Sequence, residues 1–551
     1  MKPNPIRPAR AATALAVLLL TTSSLPLTAR EYPVDPLPET RTIAEGPFEA
    51  TWASLVDQYR CPEWFRDAKL GIWAHWSAQC VPEEGDWYAR SMYIQGHDQY
   101  EAHLKKYDHP SEFGFMEIDN LWKAGKWDPE ALMDLFVAAG AKFFVSLANH
   151  EDNFDCYDSR YHAWNSVNVG PKRDIVGTWA RIARERGLRF GVSNHSSHAW
   201  HWFQTAYGYD AEGPMAGVRY DAYTLTKADG KGKWWEGLDP QDLYGKPSIV
   251  IPDGFTSTKL AHRWHDTNNL PWTELAPPHD PEFAAKWFFR LQDLIDSYQP
   301  DFVYLDNGEL PFGQVGLDIV AHYYNQNMAA NGGKLDGVLT AKGLSGAHRP
   351  AVTQAWERSA AGYIQELPFE AETCIGQWHY KKGIEYKTTG HVLRILVDIV
   401  SKNGTLLLSI PQRGDGSIDD EELAILEGMA DWIAVNGEGI YGTRPWRVFG
   451  EGPTEMPRGR AADAPIPYTQ EDIRYTSKDG AVYLFVLAVP EEAVTAEELG
   501  LDHEGVGEIA SVRLLGSGEK TEWSQGGTSL RIEKPLQIPC ENVLAYRIDF
   551  K

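Results

Sequence analysis

The chain has 551 residues, 43% hydrophobic and 12% aromatic with 21 tryptophans, which is material for two or three domains with large cores. Its 52 Lys+Arg against 77 Asp+Glu give a formal net charge of −25, which argues against nucleic acid or an anionic membrane as the main partner and leaves room only for a local basic pocket. The five cysteines, Cys61, Cys80, Cys156, Cys374 and Cys540, contain no CxxC pair, which argues against a zinc ribbon; Cys61 with Cys80 is the one sequence-close pair for a disulfide.

Residues 1–29 read as a secretory signal peptide: Lys2, Arg7 and Arg10 precede an apolar stretch over 11–20, and Leu27-Thr28-Ala29 is a small-residue cleavage site. The apolar stretch is too short to span a bilayer. The expectation is an exported protein, periplasmic or extracellular, with no membrane insertion once the signal is removed. Residues 30–50 are Pro-rich and aperiodic and predict an extended leader on the surface of the domain that follows.

From Trp52 onward, apolar strand-like runs at 70–76, 142–148, 188–193, 302–306, 337–340, 350–356 and 405–410 alternate with helical stretches at 129–139, 175–185, 281–298 and 391–401. This pattern predicts a (β/α)8-like catalytic barrel over 51–436. A doubly wound open sheet is the competitor, but no Gly-rich phosphate loop follows any of the runs. Residues 195–280 form a long polar insertion rich in Gly, Pro, Trp and Asp, the kind of loop that builds a binding site. After Asn436-Gly437, short alternating runs separated by turns such as Asp479-Gly480 and Gly526-Gly527 predict a C-terminal antiparallel β-sandwich over 437–551.

In an α/β barrel the chemistry sits where the strands end. The run 302–306 is FVYLD, and a buried strand interior does not tolerate a charge, so Asp306 stands where the strand leaves its sheet. A turn cap with Asn307-Gly308 is the structural alternative. The first run delivers His75 and Trp76 to the mouth, with Asp86 and Trp87 on the loop beyond. The second is followed by Asn149, His150 and Glu151, and the third by His195, His198 and His201, which suit a polar groove with Trp200 and Trp202 better than a helical metal site. A later strand ends at Glu357-Arg358, and Glu370, Glu372, Trp378 and His379 come after it.

A strand-end Asp with a later strand-end Glu is the pair that glycoside hydrolysis needs. One carboxylate attacks the anomeric carbon while the other, kept protonated, delivers a proton to the leaving oxygen, the two lying about 5–5.5 Å apart for retention. Tryptophans beside His and carboxylates suit sugar binding, since flat rings stack on C–H faces while polar groups hold hydroxyls. A metal site on His150, Glu151 and Asp152 with His75 is the weaker reading, because no second His falls at helical or strand spacing. Asp419 reads as a helix cap and not a calcium ligand, and Asp398 as a residue with a buried or interfacial partner.

The stretches FRDAKLGIWAHW, GDWYARSMY, DSRYHAWNSVNVGPKRDIVG, GLRFGV, the Asp of VYLDNG, ETC before QW, and LVDIVSKNGTLLLSIPQRGDGSI span roughly residues 64–418. Together they resemble glycoside hydrolase family 29, the retaining α-L-fucosidases. The resemblance implies a barrel, a C-terminal β-sandwich and a two-step displacement without cofactor or metal, acting on a fucosylated oligosaccharide or polysaccharide. It implies Asp306 as nucleophile, His75, Trp87 and His150 as contacts to sugar hydroxyls, and Trp378 against the fucose methyl. Other groups expected at the sugar are Trp76, Asp86, Asn149, Glu151, His195, Arg358 and His379.

The acid/base varies in that family and does not transfer by motif. Glu357 is the choice because it terminates a strand, with Glu372 and Glu370 in reserve. Asp86 stands where the family commonly has Glu, and Glu151 replaces a second imidazole, putting a pure acceptor where a donor can stand. An added acceptor suits α-L-galactosides, which carry one more hydroxyl, as the alternative substrate. A catalytically inactive fucose-binding protein and a metal-dependent hydrolase using His75, His150 and His195 are the rivals from other classes.

Overall fold

The computed structural model describes Met1 and residues 31–277, 280–455, 457 and 459–551. The expected signal peptide, residues 1–29, lies outside the described residues apart from Met1. Eight parallel strands close into a barrel in chain order: β1 (Leu70–Ala74), β2 (Phe143–Asn149), β3 (Arg189–Asn194), β4 (Phe302–Leu305), β5 (Val338–Lys342), β6 (Thr353–Glu357), β7 (Phe369–Cys374) and β8 (Gly404–Ser409). β8 pairs back onto β1, with Gly71 opposite Leu407.

The expected runs capture every strand except β7. Its sequence, FEAETC, alternates apolar residues with Glu370 and Glu372, and successive strand residues point to opposite faces. Both carboxyls therefore turn into the barrel, where they are buried, and no continuous apolar run marks the strand.

The barrel interior below them is filled by rings. Phe65, Phe143 and Phe302 pack with centroids 5.5–5.8 Å apart, beneath Trp73 and Tyr304 at 5.1 Å. Gly71 makes this possible, because a Cβ there would lie 2.2 Å from the Phe143 ring. The polar groups at the mouth thus rest on a dry aromatic floor.

Residues 31–50 run extended across the helices Pro281–Tyr298 and Gln314–Ala330. They are held by Gln292 Nε2 on Thr42 O (2.8 Å), an Arg41–Asp318 ion pair (2.9 Å) and the Phe48 amide on Asn325 Oδ1 (2.9 Å). The five thiols are all free. The Cys61–Cys80 bridge does not form because Cys61 precedes β1 and packs at the closed end of the barrel, whereas Cys80 follows β1 at the mouth.

Beyond the barrel, β9 (Arg444–Glu451), β10 (Ile473–Lys478), β11 (Ala481–Val486), β13 (Ile509–Leu514) and β16 (Leu544–Phe550) form an antiparallel sheet in the order β13-β16-β11-β10-β9. A second sheet, β12 (Val494–Ala496), β15 (Leu530–Ile532) and β14 (Trp523–Gln525), completes the sandwich. β11 is buried on both faces: Val482, Leu484 and Val486 enter the sandwich core, while Ala481, Tyr483 and Phe485 join the core shared with the barrel. Barrel helices Thr389–Ser401 and Asp420–Asn436 meet this second face, where Trp432 Nε1 donates to Val543 O at 2.7 Å.

Asp398, on the first of these helices, pairs with Lys402 and with Arg474 of β10, both at 2.7 Å and all three at most 3% exposed. Removing one partner of a buried ion pair leaves uncompensated charge in low dielectric. Asp398→Ala strands two cations, and the expected loss is about 3–5 kcal/mol, to be read as a lowered midpoint in denaturant or thermal unfolding.

Candidate active site

The strand ends open into a cavity of about 1160 Å³. Asp306 follows β4; its amide donates to Asn194 O at 3.1 Å and its carboxylate turns into the mouth. Oδ2 lies 3.1 Å from His195 Nδ1, Oδ1 receives the Tyr304 hydroxyl at 3.3 Å, and Oδ1 also forms an ion pair with Lys342 Nζ. Lys342 ends β5 as Asp306 follows β4. The same ammonium lies 2.9 Å from Glu357 Oε2 at the end of β6 and 3.8 Å from Glu372 Oε1 on β7. Sharing one nitrogen holds Asp306 and Glu357 within the roughly 5–5.5 Å that retaining hydrolysis uses.

These groups titrate apart. Burial alone would raise Asp306, but the Lys342 ammonium and His195 outweigh it and hold the carboxyl well below the usual range. Glu372 sits deeper, and its burial, opposed by Lys342, leaves it pushed up to about 7. Burial and the neighbouring Glu372 raise Glu370 well above the ordinary value. The site therefore has an ionised carboxylate at the mouth above protonatable carboxyls in the barrel.

His75, His150 and His195 line one wall, with ring centroids 4.8–5.2 Å apart. Both ring nitrogens of His75 and Nε2 of His195 are buried without a partner among the described residues. Buried polar atoms are nearly always hydrogen-bonded, so these nitrogens suit ligand hydroxyls. Burial and the neighbouring imidazoles keep His75 neutral, well below the usual histidine range. Asp86 also lines the cavity and is held by His379 Nδ1 at 2.6 Å. Trp87, in left-handed backbone (φ 62°), and Trp378, 5.4 Å from Trp73, add flat apolar surface.

Glu151 lines the cavity beside His150 and is buried, which raises its carboxyl well above the ordinary range. Burial thus favours its neutral form, which adds a hydrogen to donate while keeping an acceptor oxygen.

Three expected sugar contacts lie elsewhere. Trp76 is past the inward-facing Trp73 and His75 and points out of the barrel, packing on Trp122 and donating to Arg413 O at 2.8 Å. Asn149 sits at a register shift of β2 and donates to Asp155 Oδ1 at 2.9 Å, behind the buried Asp155–Arg290 pair. His379 is fully buried behind Asp86, with Nε2 3.0 Å from Ser77 Oγ, and positions that carboxylate without lining the cavity. Arg358 is at the rim, its guanidinium 5.2 Å from the Trp378 ring centroid.

Residues absent from the expected set are Trp73, Tyr304 and Lys342, together with Trp272 from the long insertion; His198, expected in a polar groove, lines the cavity as well. His198 Nε2 bonds Asp306 O at 2.7 Å, and Glu274 of the same insertion accepts from Asn307 Nδ2 at 2.6 Å, so the insertion fixes the turn that carries Asp306.

Ligand atoms of His75, Asp86, His150 and His379, and separately of His150, Glu151 and His195, lie within 4.8 Å of one another. Asp86 is already engaged by His379, and His150 Nδ1 by Gln79 at 3.0 Å. These bonds orient the groups toward the cavity as a hydroxyl-binding wall.

The alpha-L-fucosidase family model matches residues 37–438. The chain belongs to the α-L-fucosidase family. It is 25% identical over 505 residues to the alpha-L-fucosidase of Branchiostoma floridae, covering 90% of this chain and 94% of that one. With human plasma alpha-L-fucosidase it shares 27% over 520 residues, 90% and 91% of the two chains. Among solved structures it is similar to Thermotoga maritima alpha-fucosidase in complex with fucose (26% identity, TM-score 0.64, 90% of this chain and 99% of that one). The same enzyme in complex with a mechanism-based inhibitor matches at 25% identity with TM-score 0.64, covering 91% and 99%. The barrel with its C-terminal sandwich is the architecture of these relatives, and fucosidase chemistry is the family's chemistry.

Lys342 is the group that keeps Asp306 ionised against its burial. In Lys342→Met that opposition is lost, Asp306 binds its proton at higher pH, and the acid limb of kcat/KM against pH moves upward while kcat falls. Steady-state kinetics across pH 3–8 checks this.

Proposed function

We infer that the protein is an exo-acting retaining α-L-fucosidase that releases terminal L-fucose by double displacement. The observation that carries this is the ionised Asp306 and the rim carboxyl Glu357 around one ammonium, beside a wall of imidazoles with unpartnered nitrogens. Asp306 attacks the anomeric carbon and forms a glycosyl ester. Glu357 protonates the leaving oxygen and then draws a proton from water. Glu372 has a pKa raised to about 7, in a general acid's range, yet it is 1% exposed beneath Tyr304, whereas the Glu357 side chain is 20% exposed at the mouth. Geometry precedes pKa in assigning a proton donor. Once the ester forms, Asp306 no longer competes for Lys342, and the ammonium faces Glu357 as the second step requires a carboxylate base.

Family membership favours a hydrolase over an inactive binding protein, and fucose over L-galactose. An aryl α-L-fucoside is expected to be cleaved at higher kcat/KM than the matching α-L-galactoside; the reverse order would overturn the substrate assignment. We also propose that the enzyme works outside the cytoplasm, supported by the basic, apolar and small-residue pattern of residues 1–29.

Asp306→Gly should lose turnover by orders of magnitude and recover it with azide, which replaces the missing nucleophile. Glu357→Ala should retain much of the turnover of fucosides with activated leaving groups and lose most of it where the leaving oxygen needs a proton. If Glu372→Gln shows that leaving-group dependence and Glu357→Ala does not, the acid/base is Glu372.

A further inference from the structure

The cavity continues past the sugar wall. Its volume of about 1160 Å³ exceeds the roughly 300–1,000 Å³ usual for one drug-sized ligand. The second lobe runs from Glu357 and Arg358 to the helix Thr389–Ser401 and is roofed by residues 459–468, which belong to the β9–β10 connection of the sandwich. Arg460 reaches back from that roof to Glu357 Oε1 at 3.1 Å.

This lobe is locally basic in a chain of net charge −25. Arg358, Lys387, Arg394 and Arg460 line it, against Asp463, Glu357 and the exposed Glu385; Asp398 is already neutralised by Lys402 and Arg474. Asp463 is shared by Lys387 at 3.0 Å and Arg358 at 3.8 Å. The Arg394 guanidinium donates through Nε to Leu487 O at 2.7 Å and has no carboxylate in ion-pair reach among the described residues. Beside it, His391 is only 8% exposed, lines the lobe, and has Nε2 without a partner. Burial and the Lys387 ammonium hold this imidazole down at about 4, so it is a neutral hydrogen-bonding group. A guanidinium without a carboxylate partner, next to a buried imidazole whose Nε2 is unpartnered, matches a ligand that carries both an anionic group and hydroxyls.

We propose that this second lobe is an aglycone subsite for a sugar bearing an anionic substituent, a carboxylate or a sulfate ester, next to the fucosidic bond. The proposal rests on the hydrolase reading above, and turnover of a neutral aryl fucoside tests that reading separately. The experiment compares three fucosyl disaccharides that differ only in whether the second sugar is neutral, carboxylated or sulfated. At least one anionic substrate should show a kcat/KM about 10-fold above the neutral one, carried mainly by KM, since a hydrogen bond to a charged group is worth that much. The better of the two anions identifies the substituent. The advantage should shrink as salt is raised, and in Arg394→Met it should fall to within about twofold of the neutral substrate. Equal kcat/KM for all three, or a preference that survives Arg394→Met, would overturn the proposal. Should that variant fold poorly, a wild-type preference indifferent to salt would overturn it as well.

Discussion

A single half-buried ammonium, Lys342 Nζ, sets the electrostatics of the whole site. Carboxyls placed close together in low dielectric hold on to protons, because each charge is disfavoured by burial and by its neighbours. Lys342 resolves the conflict unevenly. It lies against Asp306 and 2.9 Å from Glu357, but 3.8 Å from Glu372. The nearest carboxyl is kept as a ready anion while the deeper one tends toward the neutral acid. The aromatic floor of Trp73, Tyr304 and the phenylalanines below keeps water from screening this arrangement.

The rest of the fold serves that constraint. Parallel strands end in register around the mouth, so β4, β5 and β6 deliver Asp306, Lys342 and Glu357 side by side, and the long insertion pins the Asp306 turn through His198 and Glu274. The sandwich is more than a brace. Its inner sheet shares a core with the last barrel helices, and its β9–β10 connection places Arg460 on Glu357.

The barrel was legible because strands buried on both faces read as continuous apolar runs, and the sandwich because its strands alternate. β7 escaped for the opposite reason: it points two carboxyls inward. One rule, a charge closing an apolar strand, exposes Asp306 and Glu357. The same rule applies to Lys342 in VLTAK, but a run taken to end at Thr340 leaves that residue out. Strand alternation sends Trp73 and His75 inward and leaves Trp76 outside, packed on Trp122. Asn149 falls at a register shift in β2, and burial shifts Glu151 toward its neutral form; neither is written in local sequence.

The central claim is that Asp306 forms the covalent bond to the sugar. Inactivation with a fluorinated fucosyl fluoride, followed by proteolysis and mass spectrometry, tests it most directly. The account predicts one glycosyl adduct per chain, located on Asp306. Full inactivation with the adduct on Glu357, on Glu372 or on any other side chain would contradict it.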